Sequence, residues 1–115
     1  MKNNIFIFTL LFIFSSILFA QKNIVKEDEF KVFGNCGQCK TRIEKALKIK
    51  EVKKVKWNKK TKMLKVAYLF PAIKIDSLQQ RIAAVGHDTE KFNAPDSVYK
   101  KLPACCLYRD NPKTH

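Results

Sequence analysis

The chain has 115 residues, with 23 basic and 10 acidic side chains, so its formal net charge is +13 at pH 7. This length suits one compact domain with a modest core and is too short for two. Glycine occurs three times. With no phosphate-binding glycine loop, Ser-His-Asp arrangement or paired-carboxylate site, the sequence argues against hydrolase and nucleotide chemistry.

The first segment has the features of an export signal. Lys2 precedes an apolar run from Ile5 to Phe19, which ends at Ala20 before the polar Gln21. The run is about 15 residues long, whereas a membrane-spanning helix needs about 20. We therefore predict a signal peptide over residues 1–20 and export to the periplasm. An extracellular location and membrane anchoring by an uncleaved leader are the alternatives.

A strand and a helix are predicted next. From Glu27 to Phe33 apolar residues alternate with charged ones, which is the period of a half-buried strand. From Cys39 onward, Ile43, Ala46 and Leu47 fall three and four positions apart, which predicts an amphipathic helix of about ten residues.

A hairpin and a second helix follow. Residues 55–57 and 64–68 alternate between apolar and other side chains on either side of a short polar loop, which predicts two paired strands. Apolar residues then recur at helical spacing from Lys74 to Val85, and Gly86 supplies a stop signal. The weakly apolar stretch from His87 to Phe92 predicts a final edge strand.

The predicted order is strand, helix, strand, strand, helix, strand. This is the ferredoxin-like βαββαβ arrangement, an α+β fold with one antiparallel sheet and both helices on one face. We predict that the folded domain spans residues 21–93. The tail, residues 94–115, is predicted to be an appendage with a short helix from Asp96 to Leu102.

Two cysteines lie where the first strand gives way to the first helix. The segment Cys36-Gly37-Gln38-Cys39 places both thiols at a helix N-terminus, which favours thiolates. Two sulfurs alone leave a tetrahedral zinc site incomplete, whereas Cu(I) accepts two or three soft sulfurs. We predict Cys36 and Cys39 as metal ligands, with Cu(I) preferred and Hg(II), Ag(I) or Zn(II) as alternatives.

The loop has a family signature. The segment Lys31-Val32-Phe33-Gly34-Asn35-Cys36-Gly37-Gln38-Cys39 resembles the loop of the heavy-metal-associated domain family, which includes small copper chaperones and mercury-binding periplasmic proteins. The resemblance spans about residues 28 to 93 and includes Ile43–Leu47 and Val85–Asp88. It implies a monomer that exchanges a soft metal ion with a metal-transport protein or another donor or acceptor.

The sequence departs from the family at two positions near the cysteines. The family usually has Met two positions before the first Cys, where this chain has Gly34. It usually has an aromatic residue after the Gly corresponding to Gly86, where this chain has His87. Neutral imidazole binds metals, so His87 is a candidate third ligand, and an ordinary polar loop residue is the alternative.

The tail carries a second pair of cysteines, Cys105 and Cys106. The chain from Phe92 to Cys105 reaches about 40 Å when extended, so the tail can contact the CxxC loop. We therefore hypothesise that the pair adds one or two sulfurs to the metal site, or forms a disulfide with Cys36 or Cys39. A pair that is structural or merely free is the alternative.

Two other functions fit a CxxC in an exported chain: a thioredoxin-like thiol-disulfide oxidoreductase and an interaction module stapled by disulfides. The oxidoreductase is disfavoured because no Trp precedes Cys36 and no cis-proline segment is predicted to face the motif. We therefore predict that the protein is not an enzyme.

The positive charge favours anionic partners. The lysines between Lys40 and Lys65 are scattered without a stacking aromatic motif, which argues against nucleic acid. An acidic partner protein or an anionic membrane surface fits better. The alternative is a solvated basic face that aids solubility.

Overall fold

The structure is a computed structural model that describes residues 22–110, so the predicted signal peptide lies outside the described residues. Among residues 22–110, no helix combines the length and apolar character needed to cross a membrane. The secondary structure consists of strands β1 (Ile24–Lys31), β2 (Val52–Trp57) and β3 (Met63–Phe70), helices α1 (Gly37–Ala46), α2 (Ile75–Ala84) and α3 (Asp96–Tyr99), and a 3-10 turn at Ala104–Cys106.

The strands form one antiparallel sheet in the order β1-β3-β2. The predicted hairpin is confirmed: Trp57 pairs with Leu64 across a tight polar loop. At the same end of the sheet, Lys31 pairs with Met63. The last residues of β1, and with them the CxxC loop, therefore lie beside the β2–β3 turn.

Both predicted long helices are confirmed, and they cover one face of the sheet. Alternate strand residues point into the core, as the half-buried period requires. They pack against the apolar sides of α1 and α2 in one cluster that includes Phe30, Leu64, Val66, Tyr68, Ile43, Leu47, Leu78 and Ile82. The opposite face of the sheet carries exposed charged side chains such as Glu27, Glu29, Lys56 and Lys65.

The predicted fourth strand from His87 to Phe92 is wrong: the structure describes three strands and one isolated bridge, between Val32 and Thr89. The ladder stops there because the chain turns back on itself. The backbone N–H of Thr89 donates to the carbonyl of Phe92, and the Thr89 hydroxyl donates to Gln79. The N–H of Lys31, which a continued ladder would pair with the carbonyl of Glu90, donates instead to the Glu90 side-chain carboxylate at 2.8 Å.

The interpretation of the tail as an appendage is also wrong, although the domain boundary itself stays a prediction. Four tail side chains, those of Tyr99, Leu102, Cys106 and Tyr108, belong to the buried core cluster. The predicted short helix is present but ends at Tyr99. The tail segment up to residue 110 therefore packs as part of the domain.

Candidate metal centre

The CxxC loop is held on both sides by backbone hydrogen bonds. The N–H of Val32 donates to the carbonyl of Lys62 at 2.8 Å, and the N–H of Phe33 donates to the carbonyl of Asp88 at 2.9 Å. Helix α1 begins one residue after Cys36, which is its N-cap, so the positive end of the helix dipole faces both thiols. Cys39 is fully buried and Cys36 is half-buried.

Trp57 packs beneath this loop. A Cβ atom at Gly34 would lie 3.1 Å from the Cys39 Cβ and 3.1 Å from the indole ring, so the loop, the cysteine and the indole are in close packing. The indole Nε1 donates to the carbonyl of Val32 at 3.0 Å. Trp57 therefore fixes the position of the loop from below, a role that sequence alone did not indicate.

The tail brings two more sulfurs to the loop. The Cys106 sulfur lies 2.6 Å from that of Cys39 and 3.3 Å from that of Cys36, and the two CxxC sulfurs are 3.2 Å apart. Cys105 is exposed, with its sulfur 2.7 Å from Cys36 and 3.8 Å from Cys106. All four cysteines are free, and each separation exceeds the ~2.05 Å of a disulfide bond.

Three of these sulfurs form a compact group. The sulfur atoms of Cys36, Cys39 and Cys106 all lie within 4.8 Å of one another. Among residues 22–110, these three cysteines are the residues close enough together to hold a metal ion jointly. The 3-10 turn at Ala104–Cys106 creates the difference between the adjacent tail cysteines, because it directs Cys106 into the core and leaves Cys105 at the surface. Cys105 adds a fourth sulfur on the solvent side.

The hydrogen bonds within the group favour one thiolate. Burial opposes ionisation of Cys36, but hydrogen bonds from Cys105, Cys39 and Cys106 outweigh it and lower the pKa of the Cys36 thiol to about 6. The two tail thiols shift in the opposite direction. Hydrogen bonding to Cys36 raises the pKa of Cys105, while burial and the bond to Cys39 raise the pKa of Cys106. The metal-free cluster is therefore ready to lose its first proton near neutral pH.

The positive side chain next to the motif in sequence is not the one that contacts the sulfurs. Lys40 directly follows the CxxC, but its ammonium is bound to Glu44 at 2.6 Å and to the carbonyl of Trp57 at 2.7 Å. Arg42, one helical turn after the motif, places Nη1 3.5 Å from the Cys106 sulfur. Lys62, the last residue of the hairpin turn, buries its ammonium over the ring of Trp57, 5.6 Å from the centroid.

His87 is fully buried and stands outside the three-sulfur group. Its Nδ1–H donates to the carbonyl of Phe33 at 2.8 Å, and its ring stacks on Tyr108 with 5.4 Å between centroids. Burial lowers the pKa of His87 to about 4, so the imidazole is neutral at physiological pH. In the structure, His87 supports the loop from the side; its role as a ligand stays a prediction.

The tail is anchored close to the site by Arg109. Its guanidinium binds both carboxylate oxygens of Asp88, at 2.6 and 2.9 Å, and also contacts Asp96. The Tyr108 hydroxyl donates to the carbonyl of Gly86 and accepts from the N–H of Asp88. These contacts fasten the segment after Cys106 to the loop that follows α2, which keeps Cys106 against Cys39.

No protein-family model matches the chain, and no curated protein matches it significantly. Solved structures do resemble it. The CopZ metallochaperone superposes with a TM-score of 0.53 and 26% identity, over 56% of this chain and 98% of the other. The N-terminal domain of a potential copper-translocating P-type ATPase from Bacillus subtilis, solved in its Cu(I)-loaded state, gives a TM-score of 0.55 and 26% identity, over 65% and 96%.

A third structure, described as the ZiaAN sub mutant, gives a TM-score of 0.51 and 30% identity, over 63% of this chain and all of the other. These neighbours are heavy-metal-associated domains of copper chaperones and transporting ATPases. The predicted class of fold, a small α+β domain similar to heavy-metal-associated domains, is therefore confirmed.

Proposed function

We propose that the protein binds one Cu(I) ion through the thiolates of Cys36, Cys39 and Cys106, and transfers or sequesters it outside the cytoplasm. One observation carries this proposal: a buried tail cysteine joins the CxxC pair, so that three sulfurs lie within 4.8 Å of one another at a helix N-terminus. The Cu(I)-loaded state of one structural neighbour supports the choice of ion.

The number of inner sulfurs favours Cu(I) over Zn(II). Three thiolates bound at about 2.3 Å around one ion would lie about 4 Å apart, so the cluster needs to expand by only about 1 Å to admit it. Zn(II) prefers four ligands in a tetrahedron. Here the fourth sulfur, that of Cys105, is exposed and less central than the other three. A soft monovalent ion is satisfied by the three inner sulfurs.

Transfer is favoured because solvent reaches one of the three ligands. Cys39 and Cys106 are buried, whereas Cys36 is half-buried and accessible from the side where Cys105 lies. An acceptor thiolate therefore approaches at Cys36, enters the coordination shell and displaces one donor sulfur before the others leave. A metal-transport protein with its own cysteine pair is the partner that this chemistry requires.

The location and the kind of partner rest on the sequence. The apolar leader that ends at Ala20 supports export to the periplasm, and the net charge of +13 supports an acidic partner or an anionic membrane surface. Fractionation of cells producing the full chain tests the location, with cleavage after residue 20 measured by mass spectrometry. An intact leader in the cytoplasmic fraction would contradict this part of the proposal.

The metal proposal is tested by anaerobic titration of the reduced protein with Cu(I) in the presence of a competing chelator. We expect one tightly bound Cu(I) per chain, and loss of that binding in the double variant Cys36→Ser, Cys39→Ser. Parallel titrations with Zn(II), Ag(I) and Hg(II) measure selectivity. A wild-type chain that fails to compete for Cu(I) after full reduction, while remaining folded by circular dichroism, rejects the function.

Thiol-disulfide exchange is the second candidate, favoured by the lowered pKa of Cys36 beside the sulfur of Cys105. The surroundings argue against it. Pro71 follows the end of β3 that pairs with Ile24, which is the far end of the sheet from the CxxC loop, so it does not face the motif. We propose a binding protein rather than an enzyme, and catalysed reduction of insulin at a rate comparable to that of a thiol oxidoreductase would contradict this.

A further inference from the structure

Lys62 presents an ammonium group that the fold leaves without a hydrogen-bonding partner. Its Nζ is buried and, among the described residues, makes no hydrogen bond. No carboxylate forms an ion pair with it in the part of the chain that the structure describes. Burying an unpaired cation is costly, so a nearby negative charge is expected to compensate for it.

The position of Lys62 is set by the backbone of the β2–β3 turn. Its φ is +66°, in the left-handed region, and its N–H donates to the carbonyl of Asn58 at 2.8 Å. The Lys62 carbonyl in turn accepts from Val32, at the start of the CxxC loop. This geometry sends the side chain inward, over the indole ring of Trp57, with Nζ 5.6 Å from the ring centroid.

Trp57 places the ammonium beside the CxxC loop, because the same indole packs against Gly34, whose other close neighbour is the Cβ of Cys39. The sulfurs of Cys39 and Cys36 are the groups whose negative charge, once ionised, acts on Lys62. Burial lowers the pKa of Lys62, and that negative charge opposes the lowering. The natural counter-charge of the buried ammonium is therefore the sulfur cluster.

We propose that Lys62, together with Arg42, supplies the positive charge that matches this site to a monovalent soft ion. The inference rests on the proposed three-thiolate site. Three thiols that release their protons to solvent and bind one Cu(I) give a complex of charge −2, whereas a divalent ion on the same sulfurs gives −1. The guanidinium of Arg42 at Cys106 and the ammonium of Lys62 above Trp57 each carry one positive charge. Together they neutralise the Cu(I) complex, whereas they leave the complex of a divalent ion with a net positive charge.

The test is Cu(I) affinity by chelator competition in Lys62→Met, with Lys60→Met as the matched control. Lys60 lies two residues away in the same turn and is exposed, so the control loses the same charge in water. We expect Lys62→Met to weaken Cu(I) binding about tenfold or more and Zn(II) binding by a smaller factor, because the interaction scales with the charge of the complex. Lys60→Met stays within about twofold, and Lys62→Arg within about threefold of wild type.

Thermal unfolding of the metal-free protein separates this role from a structural one. Because Lys62→Met removes an unpaired buried cation, the apo protein keeps or gains stability while it loses Cu(I) affinity. The inference is overturned if Lys62→Met binds Cu(I) like Lys60→Met, if Lys62→Arg binds as weakly as Lys62→Met, or if the apo Lys62→Met protein is destabilised in parallel. Absence of Cu(I) binding by the wild type instead rejects the function proposed above.

Discussion

The sulfur of Cys106 lies 2.6 Å from the sulfur of Cys39, although 67 positions separate the two residues in the chain. Neither the CxxC motif nor the tail pair forms this arrangement by itself. It requires that the tail pack into the core through Tyr99, Leu102 and Tyr108. Metal binding and tail packing are therefore coupled, and each should stabilise the other.

The two tail cysteines should contribute unequally to the metal site. We expect Cys106→Ser to lower Cu(I) affinity at least tenfold, or about 1.4 kcal/mol, because it removes a buried ligand. Cys105→Ser, the matched control one residue away, should change the affinity less than threefold. X-ray absorption spectroscopy should count three sulfurs around copper in wild type and Cys105→Ser, and two in Cys106→Ser. Equal affinities for both variants would contradict the three-sulfur site.

Arg109 should hold the tail against the metal loop. Its bidentate contact with the poorly exposed Asp88 is expected to contribute about 2 kcal/mol to the free energy of unfolding, whereas the contact with the exposed Asp96 adds little. Arg109→Ala should therefore destabilise the apo protein by about that amount and reduce Cu(I) affinity by freeing Cys106. Arg81→Ala, on the exposed side of α2, is the control. Urea denaturation with and without Cu(I) measures both effects, and a stable variant with wild-type affinity would show that the tail is held by other contacts.

Replacing Trp57 should weaken Cu(I) binding more than a comparable substitution elsewhere in the sheet. Trp57→Phe removes the hydrogen bond to the carbonyl of Val32 and part of the packing under Gly34, so we expect a loss of about 2 kcal/mol and weaker Cu(I) binding. Tyr68→Phe is the control, because it also removes one hydrogen bond, to Asp28, but lies farther along β3 from the loop. A comparable loss of Cu(I) affinity in both variants would mean that general destabilisation explains the effect.

The periodicity of apolar residues correctly predicted the helices and strands that have one apolar face packed in the core. The hairpin and the two long helices appear where alternation and helical spacing placed them, and the ends shift by a few residues. The stretch after Gly86 was misread because other acceptors compete there for backbone N–H groups: the N–H of Thr89 donates to the carbonyl of Phe92 in a turn, and the N–H of Lys31 donates to the carboxylate of Glu90. A pattern of hydrophobicity contains no information about that competition.

The site was predictable to the extent that it is local. The CxxC spacing and its place before a helix indicated Cys36 and Cys39, and chain length allowed contact with the tail but did not require it. Lys62 and Arg42 were missed because the sequence has 23 basic residues and nothing local distinguishes a buried one. The burial of Lys62 depends on its left-handed backbone and on the indole of Trp57, which are properties of the folded turn.

His87 should make the metal-free protein less stable in acid. Burial lowers its pKa to about 4 in the folded state, against about 6.5 when unfolded, so between these values the unfolded chain binds a proton that the folded protein excludes. The free energy of unfolding should therefore fall as pH decreases from about 6.5 to about 4, by at most about 3.4 kcal/mol from this residue. Urea denaturation of reduced apo protein across this range, compared with His87→Phe, isolates the contribution, because the titration of Cys36 is common to both proteins. We expect a shallower slope in the variant. Parallel slopes would place a charged, solvated imidazole at position 87, in conflict with its burial and its bond to the carbonyl of Phe33.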